Sequence, residues 1–322
     1  MSEAFFRVDG LNTWFFTRMG IFKSVRDVSF DVRRGEVLGI VGESGSGKSV
    51  TGMSIMGQVE EPGRIVSGLI ELDGEDLTAL SFDQMRSYRG RRIAMVFQNP
   101  LMTLNPLMRI GDQMYEAISE HETASRDQMR VRAIDALRSV GIPSPEERLT
   151  AYPHELSGGM RQRVVIATAL LLNPDLIIAD EPTTALDVTI QAQIIHQMRR
   201  QINERGLGMI WISHDLATLS ELADRILVMY AGAMMESGTT ADIIGAPRHP
   251  YTRKLLESVP SRNVPGERLK QIRGTMPSLL SLGAGCPFMG RCEYATGACA
   301  EGVPERVLSP SHRVWCHHPV ED

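Results

Sequence analysis

Apolar positions along the chain change their spacing several times, and each change predicts an element. Near the start they alternate or form short runs, in Phe5-Phe6-Arg7-Val8, Leu11 to Phe16 and Val25 to Val32. That pattern predicts a small antiparallel sheet, because successive side chains on a strand point to opposite faces. Val37-Leu38-Gly39-Ile40-Val41 is apolar throughout and reads as a strand buried on both faces. A helix is predicted over 50–59, ending near Glu61-Pro62-Gly63, and a strand over 67–72 with Asp73-Gly74 as its turn. Ile93 to Phe97 is a second buried run. Over 110–140 the spacing becomes helical, with a polar break at 120–127, which predicts an insert of two or more helices.

The second half alternates strand and helix. A helix is predicted over 164–172 and closed by Asn173-Pro174, followed by a strongly buried strand at Leu176-Ile177-Ile178-Ala179. Helix, strand and helix follow at 191–205, 208–213 and 216–223, and Ile226 to Tyr230 reads as an edge hairpin with Ala233 to Glu236. Such alternation predicts an α/β domain with a largely parallel sheet. After Gly245 prolines and glycines become frequent and apolar periodicity survives only over 251–259, so 246–322 reads as a small appended domain.

Composition narrows the class. The 322 residues are 43% hydrophobic and 23% charged, as in an ordinary soluble globular protein. A net charge of -5 and a pI near 5.9 create no global basic field, so a dedicated nucleic-acid binder is disfavoured. Arg86, Arg89, Arg91 and Arg92 then read as a solvated face. No apolar run reaches the ~20 residues that span a bilayer, and MSEAFFRVDG does not read as a secretory signal, which makes a cytosolic location the expectation. The 18 methionines read mostly as adaptable core filler.

The candidate chemistry begins directly after the first buried strand. Gly42-Glu43-Ser44-Gly45-Ser46-Gly47-Lys48-Ser49 has the glycines of a phosphate-binding loop, which let backbone N–H groups converge on anionic oxygens at the start of a helix. Lys48 supplies a cation to the β- and γ-phosphates, and Ser49 a hydroxyl ligand to Mg²⁺. Asp180 and Glu181 close the most buried strand; the first is suited to Mg²⁺ and the second to polarising an attacking water. His214 and Gln98 also follow strands, where His214 can hold the γ-phosphate or orient Glu181 and Gln98 can reach metal or water. Trp14, Phe15 and Phe16 offer aromatic faces to a base, although on residue type alone core packing is the better explanation.

Together with Leu156-Ser157-Gly158-Gly159-Met160 and Ala185-Leu186-Asp187, these segments occur in the order and spacing of the ATP-binding subunits of ABC transporters, which the chain resembles from about Phe5 to Gly245. The resemblance implies a P-loop ABC nucleotide-binding domain over 1–245: a parallel-sheet core, an antiparallel β subdomain and an α-helical subdomain over about 100–172. It makes Gly42 to Ser49 the Walker A loop, Asp180 the Walker B carboxylate, Glu181 the catalytic base and His214 the switch histidine. Gln98 becomes the Q-loop, with Ser49 and Asp180 a Mg²⁺ ligand, Asp187 the D-loop, and Phe15 the adenine-stacking aromatic, a place that Trp14 or Phe16 can also fill. Ser157, Gly158 and Gly159 would bind the γ-phosphate of ATP held by an opposing subunit, so two active sites need two such chains.

The tail narrows the resemblance. His249-Pro250-Tyr251-Thr252-Arg253-Lys254-Leu255-Leu256 and the cysteine-rich end look like the dipeptide/oligopeptide importer ATPases of the peptide-nickel group. Members of this type carry a [4Fe–4S] cluster on four C-terminal cysteines, here Cys286, Cys292, Cys299 and Cys316. Thiolates suit iron–sulfur or zinc, and residue spacing alone barely separates the two; His317 and His318 are further candidate ligands. The implied protein is a membrane-associated ATPase at the cytoplasmic face. It would work with a second, homologous ATPase, two transmembrane permeases and an extracytoplasmic solute-binding protein to import peptides. Relatives handling nickel, opines, glutathione or sugars keep the cargo open. A non-transport ABC ATPase and a redox or metal sensor are the rival classes.

Overall fold

The computed structural model describes residues 4–99, 103–183, 188–259 and 271–321. The chain forms two compact units: one from residues up to 33, 37–79 and 211–322, the other from 34–36 and 80–210.

The first unit begins with a long antiparallel pair, β1 (Ala4–Thr17) and β2 (Gly20–Arg33). Val28, Phe30 and Val32 are buried while Ser29, Asp31 and Arg33 between them are not, as the alternating pattern requires. The two runs predicted at Phe5 to Val8 and Leu11 to Phe16 are one strand, which absorbs register shifts between Val8 and Trp14 without breaking. β3 (Val37–Val41) is buried at every position and runs into the phosphate-loop segment and helix α1 (Lys48–Ile55). That helix ends before the predicted position 59. Gly57 turns the chain at φ 59°, with its N–H donating to Ser54 O and that of Gln58 to Met53 O, which satisfies the last carbonyls and stops propagation. β4 (Gly63–Leu72) and β5 (Glu75–Asp76) complete a four-stranded sheet in the order β2-β1-β4-β5.

The second unit carries α2 (Phe82–Tyr88), β6 (Ile93–Val96) and then helices α3 (Ile110–Ser119), α4 (Arg126–Ser139), the short α5 (Pro145–Arg148) and α6 (Gly158–Leu170). The polar break predicted at 120–127 is the turn between α3 and α4. Ser125 caps α4 by accepting from Gln128 N, and the Gln128 side chain returns the bond by accepting from Ser125 N at 2.9 Å. β7 (Leu176–Asp180), buried at every position, pairs parallel with β6, as the buried runs suggested. α7 (Val188–Arg205) follows. The strand β8 (Gly208–Ser213) then carries the chain across the boundary into the first unit.

Back in the first unit, α8 (Leu216–Leu222) starts on Asp215, whose carboxylate accepts from Ala217 N and Thr218 N. β9 (Arg225–Tyr230) pairs parallel with β3 and antiparallel with β10 (Ala233–Thr239). The hairpin read as an edge is therefore interior. Beyond α9 (Thr240–Gly245) and α10 (Pro250–Glu257), the tail forms β11 (Glu305–Val307) and β12 (Arg313–Trp315), and β12 pairs with β10. The tail thereby satisfies the backbone groups that an open edge strand would leave unpaired. Weak periodicity hid these three-residue strands.

Candidate functional site

The loop between β3 and α1 has a backbone that only its glycines permit. At Gly47 φ is 97°, and a Cβ there would lie 2.3 Å from Ser24 O; a Cβ on Gly42 would lie 2.1 Å from Met229 O. The chain packs so closely here that β2 and β9 form the loop's outer wall. Lys48 is buried at 5% exposure, and its ammonium donates to Gly42 O at 2.8 Å, Glu43 O at 3.0 Å and Ser46 Oγ at 3.3 Å. The cation is thus held over the concave side of the loop. Ser46 and Gly47 are buried, whereas Ser44, Gly45 and Ser49 are exposed. The arrangement is an anion cradle at the start of a helix, with backbone dipoles and one ammonium of the same sign.

Three groups hold Glu43. Its N–H donates to the Tyr251 hydroxyl at 2.9 Å, its Oε2 accepts from Arg291 Nη1 at 2.8 Å, and its carbonyl takes Lys48. Tyr251 and Tyr230 are fully buried, with ring centroids 4.7 Å apart, and Phe288 packs against both. Burial raises both tyrosine hydroxyls above their ordinary value, Tyr251 strongly, so they stay neutral. Sequence reasoning missed Tyr230 and Arg291 and saw Tyr251 only as part of a tail segment. No local signal links any of them to the loop.

The aromatic trio divides by strand alternation. Trp14 lies under the Lys23 ammonium at 4.7 Å and Phe16 under the Arg64 guanidinium at 4.4 Å, so a cation already occupies a face of each. Phe15 is on the other side of β1, with Thr13, whose hydroxyl hydrogen-bonds Ser54 of α1 at 2.7 Å. Its ring is half-buried and lies beside Gly63. Also in the first unit, His214 is exposed at the end of β8, immediately before the Asp215 cap.

In the second unit, Asp180 is 6% exposed at the end of β7, and Glu181 follows at φ 45°. A non-glycine residue in that region is strained, a feature common at functional positions. Gln98 Nε2 donates to Glu181 Oε2 at 2.9 Å, which joins two residues separated by a long stretch of chain. Ser157 caps α6 by accepting from Met160 N, and with Gly158 it is exposed, so the first turn of that helix faces outward. Asp187 lies outside the described residues.

The four cysteines are free thiols; Cys299 and Cys316 are buried, Cys286 and Cys292 half-buried. Burial, helped by the other thiols, pushes Cys286 and Cys316 up to about 11 and raises Cys292. Cys316 senses the charge of all three others. Backbone N–H groups point at three of the sulfurs, including His318 N at 3.3 Å from Cys316 Sγ, and Cys286 N donates to Cys299 O at 2.8 Å. Among the described residues no group of three or more His, Cys, Asp or Glu is gathered around one ion position. His317 Nε2 pairs with Gly302 O and His318 Nε2 with Thr296 Oγ1, at 2.7 and 2.8 Å, so both rings are anchored outside the thiol group. The four thiols lie within electrostatic reach of one another, with backbone N–H groups aimed at three of the sulfurs, a donor type that thiophilic metal centres use.

Comparison with known proteins extends these observations. Residues 25–184 match the ABC transporter family, and residues 235–299 match the oligopeptide/dipeptide transporter C-terminal region. The chain is 45% identical over 320 residues to the dipeptide transport ATP-binding protein DppD of Escherichia coli K12, covering 99% of this chain and 98% of that one. It is 47% identical over 316 residues to DppD of Bacillus subtilis 168, covering 98% and 94%. Among solved structures, the dimeric bacterial ABC transporter cassette MJ0796 is similar with a TM-score of 0.66 and 26% identity, over 73% of this chain and 98% of that one. Its post-hydrolysis dimer bound to ADP and Pi is similar with a TM-score of 0.67 and the same coverage.

Proposed function

The chain belongs to the ABC transporter ATPase family, in its oligopeptide/dipeptide branch, and from that premise we propose that it hydrolyses ATP to energise import of di- and oligopeptides through a membrane transporter. The observation that carries this reading is the full-length similarity to dipeptide-transport ATPases, tail included, joined to an intact Lys48 cradle. The Lys48 ammonium and the N–H groups of the Gly42 to Ser49 loop, apart from that of Glu43, which Tyr251 holds, bind the phosphates, and Phe15 stacks on adenine from the α1 side of β1. Ser49, Gln98 and Asp180 would hold Mg²⁺, which when bound neutralises charge on the phosphate oxygens. Glu181, oriented by the Gln98 amide, takes the proton of the attacking water, and His214 steadies the γ-phosphate.

The exposed start of α6 supports a head-to-tail arrangement in which Ser157, Gly158 and Gly159 complete the site of a second, homologous ATPase, with Asp187 at that junction. The similar dimeric cassettes are in keeping with this pairing. No helix among the described residues is long and apolar enough to cross a membrane, so in this reading two permeases supply the path. An extracytoplasmic binding protein delivers cargo, and the ATPase works at the cytoplasmic face. Cargo choice then belongs to those partners, and nickel, opines or glutathione are the alternatives to peptides. Cys286, Cys292, Cys299 and Cys316 would hold a [4Fe–4S] cluster, which when bound staples a region with little core of its own; zinc is the alternative.

Glu181→Gln tests the catalytic assignment. In the assembled transporter it keeps MgATP binding and loses hydrolysis by about two orders of magnitude or more, the scale of a lost general base. Hydrolysis that survives the change overturns the assignment. Copurification of two permeases and a second ATPase tests the assembly. Iron and sulfide analysis of anaerobically purified protein separates cluster from zinc.

A further inference from the structure

The Arg291 side chain is 8% exposed and uses its whole fork. Nη1 donates to Glu43 Oε2 at 2.8 Å and to the Tyr230 hydroxyl at 3.0 Å, Nη2 to Ile272 O at 3.2 Å and Nε to Arg273 O at 2.8 Å. The guanidinium also lies over the Tyr230 and Phe288 rings, at 5.7 and 5.9 Å. One side chain therefore joins the phosphate loop, the end of β9 and the segment entering the cysteine region. That segment leans on the loop as well: a Cβ on Gly45 would lie 2.8 Å from Met276 Cε. Arg291 directly precedes Cys292, and Phe288, which packs beneath the same contact, lies between Cys286 and Cys292.

Glu43 is the second residue of the loop, and its peptide is gripped at every polar group. Tyr251 fixes its N–H and Lys48 its carbonyl, which leaves the Arg291–Glu43 pair to hold the side chain. A phosphate cradle works only if its N–H groups already point inward, because reorganising them on binding lowers affinity. A buried planar fork bound to a carboxylate is a strong and directional anchor, which a lysine cannot reproduce.

We propose that Arg291 is a positioning residue for the phosphate loop: it acts through Glu43, so that the C-terminal cysteine region sets the affinity of this chain for MgATP. The proposal rests on the ATP-binding reading above. Saturable binding of MgATP to the wild-type full-length chain tests that reading first and separately.

The decisive experiment is a double-mutant cycle of Arg291→Lys and Glu43→Gln in the full-length chain, read as MgATP Kd and, in the assembled transporter, as KM and kcat for ATP. Each single variant raises Kd and KM about tenfold, the scale of one charge-assisted hydrogen bond, while kcat changes by less than about twofold. The double variant is no weaker than either single one, because both remove the same contact. Independent, multiplying effects overturn the proposal, as does loss confined to kcat. If Arg291→Lys does not fold, Glu43→Gln alone decides, and an unchanged Kd for that variant overturns the proposal.

Discussion

Glu236→Gln tests whether the tail is an integral part of the first unit. Glu236, on β10, is 0% exposed and receives three hydrogen bonds: Arg248 N at 2.7 Å and His312 Nε2 at 2.7 Å on Oε1, and His249 N at 2.9 Å on Oε2. It ties together the start of α10 and the approach to β12. Glutamine has the same shape but only one acceptor oxygen. Set toward Arg248 and His312, it turns an NH₂ group against His249 N–H; set the other way, it turns NH₂ against Arg248 N–H. Either choice leaves a buried backbone donor facing a donor, and the charged acceptor is gone. An unsatisfied buried group and the loss of charge-assisted bonds together cost about 3 kcal/mol. For a chain of this size that lowers Tm by roughly 5–10 °C. Thermal melting monitored by circular dichroism is the assay, with amide exchange at Arg248 and His249 as the local readout. A melt within about 2 °C of wild type, with both amides still protected, would refute the reasoning.

The remaining predictions concern the loop, a histidine and the thiols. Gly47→Ala forces a Cβ into Ser24 O and a left-handed backbone, so MgATP binding falls below detection in a titration that saturates with wild type. His249 is fully buried, and desolvation lowers its pKa from 6.5 to about 3, so the unfolded chain takes up the proton first and stability drops as pH falls through that window. His249→Asn keeps an acceptor for Tyr251 N, and its acid unfolding profile should be shallower by about one proton between those pH values. In metal-free protein, burial raises Cys286 from 9.0 to about 11, so stability is lost as pH rises through that interval. Native thiols at Cys286 and Cys316 should therefore alkylate far more slowly than the unfolded chain at pH 9, measured by mass spectrometry; equal rates would contradict their burial.

Much of the architecture is legible in the order of residues along the chain. Val37 to Val41, Ile93 to Val96 and Leu176 to Asp180 announce buried strands because continuous apolar runs of that length fit little else between turn signals. The polar break between α3 and α4 is readable because Ser125 and Gln128 form a capping box, whose spacing is fixed by helix geometry. The tail was harder. β11 and β12 are three residues each, too short for a period, and their pairing with β10 is decided by an edge that needed covering. The edge hairpin was misread for the same reason, since a sequence does not reveal which strand lacks a neighbour.

The site divides along the same line. A phosphate loop is a local object: its glycines, its lysine and its helix start lie within a few residues, so backbone sterics alone make it recognisable. Gln98 against Glu181, and Arg291 against Glu43, are pairs joined across 83 and 248 positions, and only the closed chain brings their atoms into contact. Local geometry depends on neighbours along the chain and is written in spacing. Contacts between distant segments depend on how whole sheets pack, which no window of sequence contains. The tight glycine turn and buried lysine of Gly42 to Ser49 were therefore readable from residue order, whereas the grip of the cysteine-bearing tail on that loop became visible only in three dimensions.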